Sequence, residues 1–313
     1  MSNFSKNLFT GIPVEYLISN KAKVVFVADY FIDDVQGGAE LTSEAIIAKC
    51  PYKIAKIHSA SLTKKMVDEN KDKYWIFGNY VALNSFLIAY LPDAGINYSV
   101  IEYDFKYCAF RSEQRHLAQT GQPCSCVKDS HGLNVERFMQ KANHIFWMSQ
   151  GQKDVYLKAL PSLTDSKHVI QSSTFDDKTL DLISELSTKN LNSDLKEKKV
   201  YSVLGGGSWI KGVEETAKWC QLNKKNYRPL PAMPYAQFLD EMSKSYGLVF
   251  MPLDFDTCPR VVIEAKLLGL ETILNNNVLM KDDPWFTGPK EETEAYLRTR
   301  TANFWDTLNE HIW

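Results

Sequence analysis

Short apolar runs alternate with amphipathic segments along most of the chain. Uninterrupted apolar runs of about four to eight residues are typical of parallel strands that are buried on both faces, and segments of period 3.6 predict helices. In the first half, the predicted strands are residues 23–28, 52–57, 74–77, 98–102, 144–149 and 169–172. Helices are predicted between them at residues 37–47, 62–69, 81–91 and 150–160. This alternation predicts a parallel sheet with helices on both faces.

A second alternation of the same kind follows a polar segment. Residues 177–198 mix charges and contain Asn-Leu-Asn-Ser, which predicts an interdomain linker with helical character at residues 180–186. Beyond it, strands are predicted at residues 199–204, 248–253 and 272–274, and helices at residues 213–222 and 235–245. We therefore predict an α/β chain with two Rossmann-like domains, residues 1–176 and 199–290, followed by a C-terminal helix over residues 291–313.

Length and charge narrow the class of protein. The chain has 313 residues, which is enough for two domains with separate cores. Apolar residues make up 44% and charged residues 24%, as in ordinary globular proteins. A formal net charge of −2 excludes a general electrostatic attraction to nucleic acid or membranes. Residues 106–141 nevertheless carry six Lys or Arg against three Asp or Glu, which fits either a solvated face or a loop that meets an anionic acceptor such as DNA.

The start of the chain and its cysteines bear on the cellular compartment. Residues 1–7, Met-Ser-Asn-Phe-Ser-Lys-Asn, lack the apolar core of a signal peptide, and no run approaches membrane-spanning length. The six cysteines are scattered, which indicates a reducing compartment rather than a disulfide framework. We therefore expect a cytoplasmic protein without a membrane partner, and the oligomeric state stays open.

Residues 247–278 predict a strand, a polar turn, a helix and a further strand. Pro259 suits the first turn of the helix, since its ring already holds a helical φ and its missing N–H is not needed there. Gly269 ends the helix. Asp256 and Arg260 lie near the start of this helix, beside backbone N–H groups that have no partner within it. Such a helix N-terminus attracts phosphate through its free amides and its dipole.

Two glycine-containing loops also follow predicted strands and lead into helices. One contains Gly37 and Gly38, and the other spans residues 205–212 with Ser208 and Lys211. Glycine lets the backbone approach a ligand closely, and a lysine adds a mobile positive charge, so each loop could cradle a phosphate. The second loop lacks the Lys-Ser/Thr pair of a P-loop. For the first loop, a tight turn without a ligand is the alternative.

Asp256 and Glu264 are eight positions apart, and their segment resembles the E-x7-E segment of retaining glycosyltransferases with the two-domain GT-B fold, family 4 in particular. The Gly-Gly-Ala-Glu string at residues 37–40 and the Lys-Gly pair at residues 211–212 are similar to further motifs of that family. The chain departs from the family pattern at three positions, with Asp256 for Glu, Gly206 for Arg and Tyr103 for His.

The resemblance implies a GT-B fold whose C-terminal helix crosses back to the first domain, and a nucleotide-diphosphate sugar as donor, with a UDP-linked donor preferred. It implies no cofactor and no metal, because cations and helix amides would balance the diphosphate charge. The residues implied for catalysis are Asp256, Lys211 and Asp104. The residues implied for donor binding are Gly37, Gly38, Ser208, Lys211, Arg260 and Glu264. Asp256 would contact the sugar, Glu264 would hold the ribose, and Arg260 would replace the missing family arginine.

Three of the six cysteines and two of the six histidines lie between residues 108 and 131. Cys108, His116, Cys124 and Cys126 could bind zinc, which favours tetrahedral ligation by sulfur and nitrogen. The Cys-x-Cys spacing is less usual than Cys-x2-Cys, and the other gaps fit no standard zinc finger. A loop of free thiols is therefore the preferred interpretation, zinc is the alternative, and a disulfide fits a reducing compartment least.

The whole chain also resembles glycosyltransferases of large tailed phages, notably in the string at residues 258–269 and in the Ser-Trp-Ile-Lys-Gly loop. This resemblance implies an acceptor such as a hydroxymethylated pyrimidine in phage DNA, which would have to be flipped out of a duplex, or a surface glycan. Two functions of other classes stay open. One is a non-catalytic sugar-nucleotide or glycan binding protein on a GT-B scaffold, and the other is a zinc-stabilised nucleic-acid binding module.

Overall fold

The computed structural model describes residues 18–206 and 210–312 with their side chains, and residue 209 by its backbone. Of the segment before residue 18, it describes an antiparallel pair of two-residue strands, β1 (Ser5–Lys6) and β2 (Pro13–Val14). Within these residues, no helix combines the length and the apolar composition that crossing a bilayer requires.

The first domain is built on a six-stranded parallel sheet in the order β4-β3-β5-β6-β7-β8. Its strands are β3 (Val24–Ala28), β4 (Ile54–His58), β5 (Tyr74–Phe77), β6 (Asn97–Glu102), β7 (Ile145–Trp147) and β8 (His168–Ile170). Its helices are α1 (Gly38–Ala48), α2 (Lys64–Asp68), α3 (Ser85–Tyr90), α4 (Glu113–Thr120), α5 (Ser130–Gln140) and α6 (Gln150–Ala159). The predicted strands are all present, whereas the sequence pattern does not predict α4 and α5.

The two faces of this sheet pack against separate layers, as strand β3 demonstrates. Val24, Phe26 and Ala28 belong to one apolar cluster, whereas Val25 and Val27 belong to another. Because successive side chains of a strand point to opposite faces, a strand that is covered on both sides has to be apolar throughout. The continuous apolar run in the sequence follows from this double burial.

The residues after the first sheet form helices that pack on the core. They are α7 (Asp177–Lys189), which contains the predicted helical segment, and α8 (Asp194–Glu197). Leu180, Ile183 and Leu186 of α7 are buried in an apolar cluster that contains residues of both sheets. The two domains therefore share a core at this junction, and the domain boundaries after residues 176, 198 and 290 stay predictions.

The second domain is built on a four-stranded parallel sheet in the order β10-β9-β11-β12. Its strands are β9 (Tyr201–Leu204), β10 (Tyr227–Leu230), β11 (Gly247–Phe250) and β12 (Glu271–Leu274). Its helices are α9 (Val213–Leu222), α10 (Tyr235–Ser243) and α11 (Arg260–Leu267). The sequence pattern does not predict β10, because Pro229 interrupts it. This strand lies at the edge of the sheet, where a proline without an N–H group is tolerated.

The chain ends on a long helix that returns to the first domain. The last two helices are α12 (Pro284–Thr287) and α13 (Lys290–Leu308). The ring of Phe304 lies 4.4 Å from the ring of Phe146 in β7, and the indole N–H of Trp305 donates to the carbonyl of Ile46 at 2.9 Å. These contacts confirm the predicted crossing of the C-terminal helix.

Loops at the carboxyl ends of the two sheets contact each other directly. The Thr257 hydroxyl donates to the carbonyl of Tyr103 at 2.8 Å, and the Ser173 hydroxyl donates to the carbonyl of Cys258 at 2.8 Å. In parallel α/β sheets, ligands bind beyond the carboxyl ends of the strands. These contacts therefore form one side of the expected binding region.

Phe304→Ala is expected to destabilise the protein strongly, because Phe304 is fully buried where α13 meets the first sheet. Removal of a buried phenylalanine leaves a cavity and costs about 3–5 kcal/mol of the free energy of unfolding. Denaturant unfolding followed by circular dichroism measures this loss. Phe86→Ala is the matched control, because the Phe86 side chain is 59% exposed, and it should cost less than about 0.5 kcal/mol. Equal losses in the two variants would contradict the docking of α13.

Candidate functional site

Two adjoining cavities lie between the two sheets. The larger, of about 340 Å³, has the apolar side chains Leu204, Met233, Phe238 and Val261 and the polar side chains Tyr235 and Glu264 in its wall. The smaller, of about 200 Å³, has Thr42, Tyr103, Ser173, Asp256 and Thr257 in its wall. Gly38, Lys211, Pro259 and Arg260 line both cavities. These four residues lie where the two cavities adjoin, and this region is called the passage.

Two helices begin at this passage. α1 begins at Gly38 with Gly37 as its N-cap, and α11 begins at Arg260 with Pro259 as its N-cap. Neither Gly37 nor Pro259 caps its helix start with a side chain, and in the first turn of α1 the Glu40 carboxylate accepts from its own backbone N–H. The first backbone N–H groups of a helix have no partner within it, and the helix dipole is positive at this end. The passage therefore favours an anionic group.

Lys211 brings a positive charge to the same passage. The next residue, Gly212, has a φ of +60°, and a Cβ there would lie 2.0 Å from the carbonyl oxygen of Met251. The turn that orients Lys211 therefore requires glycine. The Nζ atom of Lys211 lies 2.6 Å from Oδ2 of Asp256, and the lysine side chain is 36% exposed. Lys211 thus has a partner within the protein and enough exposure to reach a ligand.

Arg260 carries the second positive charge and is almost fully buried. Its guanidinium lies 3.8 Å from the centroid of the Phe175 ring and donates to the carbonyl of Thr174 through Nη1. Nη2 donates to the hydroxyl of Tyr235 at 3.3 Å, and Nε lies 3.5 Å from Oε1 of Glu264. Stacking and these polar contacts hold the guanidinium in one orientation beside the passage.

Glu264 is a buried carboxylate in the wall of the larger cavity, which Lys211 also lines. It accepts a hydrogen bond of 2.7 Å from the Tyr235 hydroxyl. Burial raises the pKa of Glu264 above its ordinary value, because the charged form loses solvation, and the positive charge of Arg260 opposes this shift. A carboxylate held in this way is a strong acceptor for hydroxyl groups of a ligand.

Asp256 and Tyr103 meet at the smaller cavity. The carboxylate of Asp256 faces Lys211, and the hydroxyl of Tyr103 lies 2.8 Å from Oγ of Ser43. Burial raises the pKa of Tyr103 far above its ordinary value. Tyr103 therefore cannot exchange protons near neutral pH as an imidazole does.

Asp104, a predicted catalytic residue, binds cations of its own loop. Its carboxylate oxygens lie 3.0 Å from Nζ of Lys106 and 3.2 Å from Nη1 of Arg111. Of the neighbouring residues 103 and 104, Tyr103 lines the smaller cavity, whereas Asp104 is not among the described residues that line it. The role of Asp104 stays a prediction, and so does that of Ser208, which lies outside the described residues.

A buried charge cluster supports this loop from beneath. Nζ of Lys106 lies 3.0 Å from Oε1 of Glu102 and 4.9 Å from the centroid of the Tyr80 ring. Glu102 also accepts from the Tyr80 hydroxyl at 3.3 Å and from the backbone N–H of Asp104 at 3.0 Å. Burial raises the pKa of Glu102 to about 7, and the positive charge of Lys106 limits this rise. The sequence pattern does not predict this cluster, because it shows Glu102 only as the last residue of a predicted strand.

Tyr235 and Phe238 in the wall of the larger cavity were not predicted from the sequence. They lie at the start of α10, which the sequence pattern predicts only as an amphipathic helix. The helix reaches the cavity because it follows the edge strand β10. Because the sequence pattern does not predict β10, it does not predict that α10 lies beside the passage.

The four residues of the alternative zinc interpretation come together, and none of them lines either cavity. The sulfurs of Cys108, Cys124 and Cys126 and a ring nitrogen of His116 lie within 4.8 Å of one another. Their segment connects β6 to α5 within the first domain. It is therefore a part of that domain, and a nucleic-acid binding role for it stays a prediction.

Comparison with solved structures identifies the fold. The structure is similar to that of Anabaena Alr3699/HepE in complex with UDP, with a TM-score of 0.52 and 12% sequence identity, covering 91% of this chain and 91% of that chain. It is also similar to OtsA, a trehalose-6-phosphate synthase, with a TM-score of 0.53 and 9% identity, covering 93% and 96% of the two chains. No protein-family model matches the chain, and a search of curated proteins finds no match. The two parallel-sheet domains and these neighbours confirm the predicted GT-B fold.

Glu102→Gln is expected to change how the free energy of unfolding depends on pH. The pKa of Glu102 is raised from 4.5 to about 7, so the native protein keeps a proton that the unfolded chain releases. The stabilisation that this proton provides is complete below pH 4.5 and is lost as the pH rises through 7. The glutamine variant carries no such proton. Its stability relative to the wild type should therefore rise with pH across this window, by about 3 kcal/mol.

Denaturant unfolding at several pH values on both sides of this window measures the difference. Glu69→Gln is the control, because the Glu69 side chain is 60% exposed, and its difference from the wild type should stay constant. A constant difference for Glu102→Gln as well would show that the pKa of Glu102 is not raised.

Proposed function

We propose that this chain is a glycosyltransferase that moves a sugar from a nucleotide-diphosphate donor to an acceptor hydroxyl, with retention of anomeric configuration. The observation that carries the proposal is the passage between the two cavities, where two helix N-termini meet the cations Lys211 and Arg260. A diphosphate is a ligand whose charge this passage would balance. The GT-B fold and the family-4 resemblance of residues 256–264 support the same activity.

The two cavities suit the two ends of such a donor. The larger combines the apolar side chains of Leu204, Met233 and Phe238 with the carboxylate of Glu264, which suits a base and its ribose. The smaller has Asp256 in its wall and suits the sugar. Structures of the Anabaena protein are described with UDP and with UDP-glucose, which favours a UDP-linked donor here.

Charge stabilisation is the chemistry that the passage would supply. When the bond between sugar and diphosphate breaks, negative charge develops on the leaving oxygen. Lys211, Arg260 and the amides at the start of α11 would stabilise that charge without a metal ion. A diphosphate would compete with Asp256 for Lys211, and the freed carboxylate would face the sugar. Asp104 would support this arrangement by holding the loop that carries Tyr103.

A thermal-shift screen across UDP-, GDP-, ADP- and CMP-sugars tests donor binding. A ligand that binds the folded protein at 100 times its Kd stabilises it by about 2.7 kcal/mol, so the true donor should raise the melting temperature clearly. Glu264→Ala should reduce this rise, because the ribose loses its acceptor. If no sugar nucleotide raises the melting temperature, the proposed function is wrong.

Lys211→Ala is expected to slow transfer by removing a cation from the leaving group. The loss of one charge-assisted contact should raise the barrier by about 2–3 kcal/mol, which lowers turnover about 30- to 150-fold. Hydrolysis of the donor without acceptor gives the readout. Lys218→Ala is the matched control, because Lys218 is an exposed residue of α9, and it should keep full activity. Unchanged turnover in Lys211→Ala would remove this lysine from the mechanism.

A non-catalytic sugar-nucleotide binding protein is the second candidate. The observation in its favour is that Lys211 and Arg260 both have partners within the protein, and that Tyr103 replaces the family histidine. Donor binding without any hydrolysis or transfer in the same assays would support this candidate.

We further propose that the acceptor is a hydroxymethylated pyrimidine in DNA, with a surface glycan as the alternative. Arg115 and Lys128 are exposed on the segment whose residue Ser112 contacts Asp254 beside the cleft. These cations could bind backbone phosphates while a flipped base enters the cleft. This acceptor would place the enzyme in the cytoplasm, in a host cell if the chain is of phage origin.

Binding to duplex DNA should therefore weaken steeply as the salt concentration rises. Replacing both Arg115 and Lys128 by alanine should lower the slope of log K against log salt by about two, because two phosphate contacts are lost. Fluorescence anisotropy with a labelled duplex measures this slope. Replacing the exposed Lys218 and Lys224 is the matched control. Weak binding that does not respond to salt would favour the glycan.

A further inference from the structure

We propose that the first domain carries a structural zinc site formed by Cys108, His116, Cys124 and Cys126. Their donor atoms, three sulfurs and one ring nitrogen, all lie within 4.8 Å of one another. The sulfurs of Cys108 and Cys126 lie 3.7 and 3.4 Å from Nδ1 of His116. The site is separate from the cleft, so it does not depend on the proposed transfer activity.

The two sulfur-to-nitrogen distances match edges of a tetrahedron around one zinc ion. With Zn–S bonds of about 2.3 Å and Zn–N bonds of about 2.0 Å, neighbouring ligand atoms are about 3.5–3.8 Å apart. Four protein ligands close the coordination sphere, which is typical of structural rather than catalytic zinc. The spacing in the sequence hides the site, because His116 comes from a helix that no linear zinc motif contains.

Hydrogen bonding accounts for only part of this convergence, since the Cys108 thiol also donates to the carbonyl of Ser112 at 3.4 Å. Nδ1 of His116 has a single hydrogen-bonding position in the ring plane, yet two sulfurs lie within 3.7 Å of it. A disulfide would join two of the three sulfurs and would leave the third as a single free thiol beside the imidazole. Zinc uses all four groups, since thiolate and imidazole are ligands that it prefers.

Apolar burial does little to hold α4 in place. α4 contains no buried side chain, and a helix of eight residues is not stable by itself. His116 lies on α4, whereas Cys108 and Cys126 are buried and belong to the loops on either side. A zinc ion bound to all of them would fasten the helix to the domain, as metals do where apolar burial is insufficient.

Close packing of α5, the helix that follows the site in the chain, fixes the position of one of its ligands. A Cβ on Gly132 of α5 would lie 2.0 Å from the carbonyl oxygen of Cys126. Glycine therefore lets α5 press against the turn that carries this cysteine. The Asp129 side chain caps α5 by accepting from the N–H groups of His131 and Gly132. The core helix thus sets the position of Cys126 independently of a metal.

The zinc site would also hold one rim of the cleft. Ser112 is the N-cap of α4, accepts from the N–H of Arg115 at 2.9 Å and donates to Asp254 of the second domain. Asp254 lies two residues before Asp256. An ion that orders α4 would therefore also order a contact between the two domains.

Metal analysis of the full chain, purified under reducing conditions from zinc-supplemented medium, tests the proposal. Plasma mass spectrometry should find one zinc per chain. Exchange for Co²⁺ should produce sulfur-to-cobalt charge-transfer bands and the strong visible bands of tetrahedral cobalt. His116→Ala and Cys124→Ser should bind zinc at least about tenfold more weakly. His116→Cys should keep the metal, because a thiolate can replace the imidazole.

Two controls exclude other sources of bound metal. Cys50→Ser removes a half-buried cysteine of the same domain and should keep one zinc per chain. His144→Ala removes a member of a second cluster, with Glu310 and His311, and should also keep it.

Three results would overturn the proposal. They are a wild-type protein without zinc, a metal content that does not fall in either His116→Ala or Cys124→Ser, and loss of the metal in His144→Ala but not in Cys124→Ser. If His116→Ala or Cys124→Ser fails to fold, the cobalt spectrum of the wild type and the metal content of His116→Cys still decide the question.

Discussion

The burial of the Arg260 guanidinium is the constraint on which the cleft depends. It stacks on Phe175 and donates to Thr174, in the segment that leaves the first sheet, and it also contacts Tyr235 and Glu264 of the second domain. Breaking such a pairing would leave a buried charge without compensation, which is costly. One residue therefore joins the two domains, starts α11 and brings positive charge to the passage between the cavities.

The other charges of the site are arranged around this point. Lys211 pairs with Asp256 on one side of the passage, and Arg260 lies beside Glu264 on the other. Each cation thus has an anionic neighbour that a diphosphate would have to displace or share. Such an arrangement lets a folded protein hold positive charge in a partly enclosed cleft before a ligand supplies the balance.

Much of the fold could be predicted because parallel strands that are buried on both faces leave continuous apolar runs in the sequence. The hydrophobic pattern did not predict elements that are only partly buried. β10 is an edge strand with Pro229 in its middle, and α4 exposes every side chain to some degree. At the site, Asp256, Lys211, Arg260 and Glu264 could be named from spacing and resemblance, whereas Tyr235 could not, because its place depends on β10.

By itself the sequence determined the two α/β units, their order and the helix starts that attract an anion, because these depend on periodicity and on residues close together in the chain. Only the tertiary structure decided which distant side chains meet. The packing of two sheets and the last helix sets the partner of Lys211, the aromatic ring under Arg260 and the loop contacts of Asp104. The same holds for His116, which joins three cysteines only after α4 has folded back on its loops.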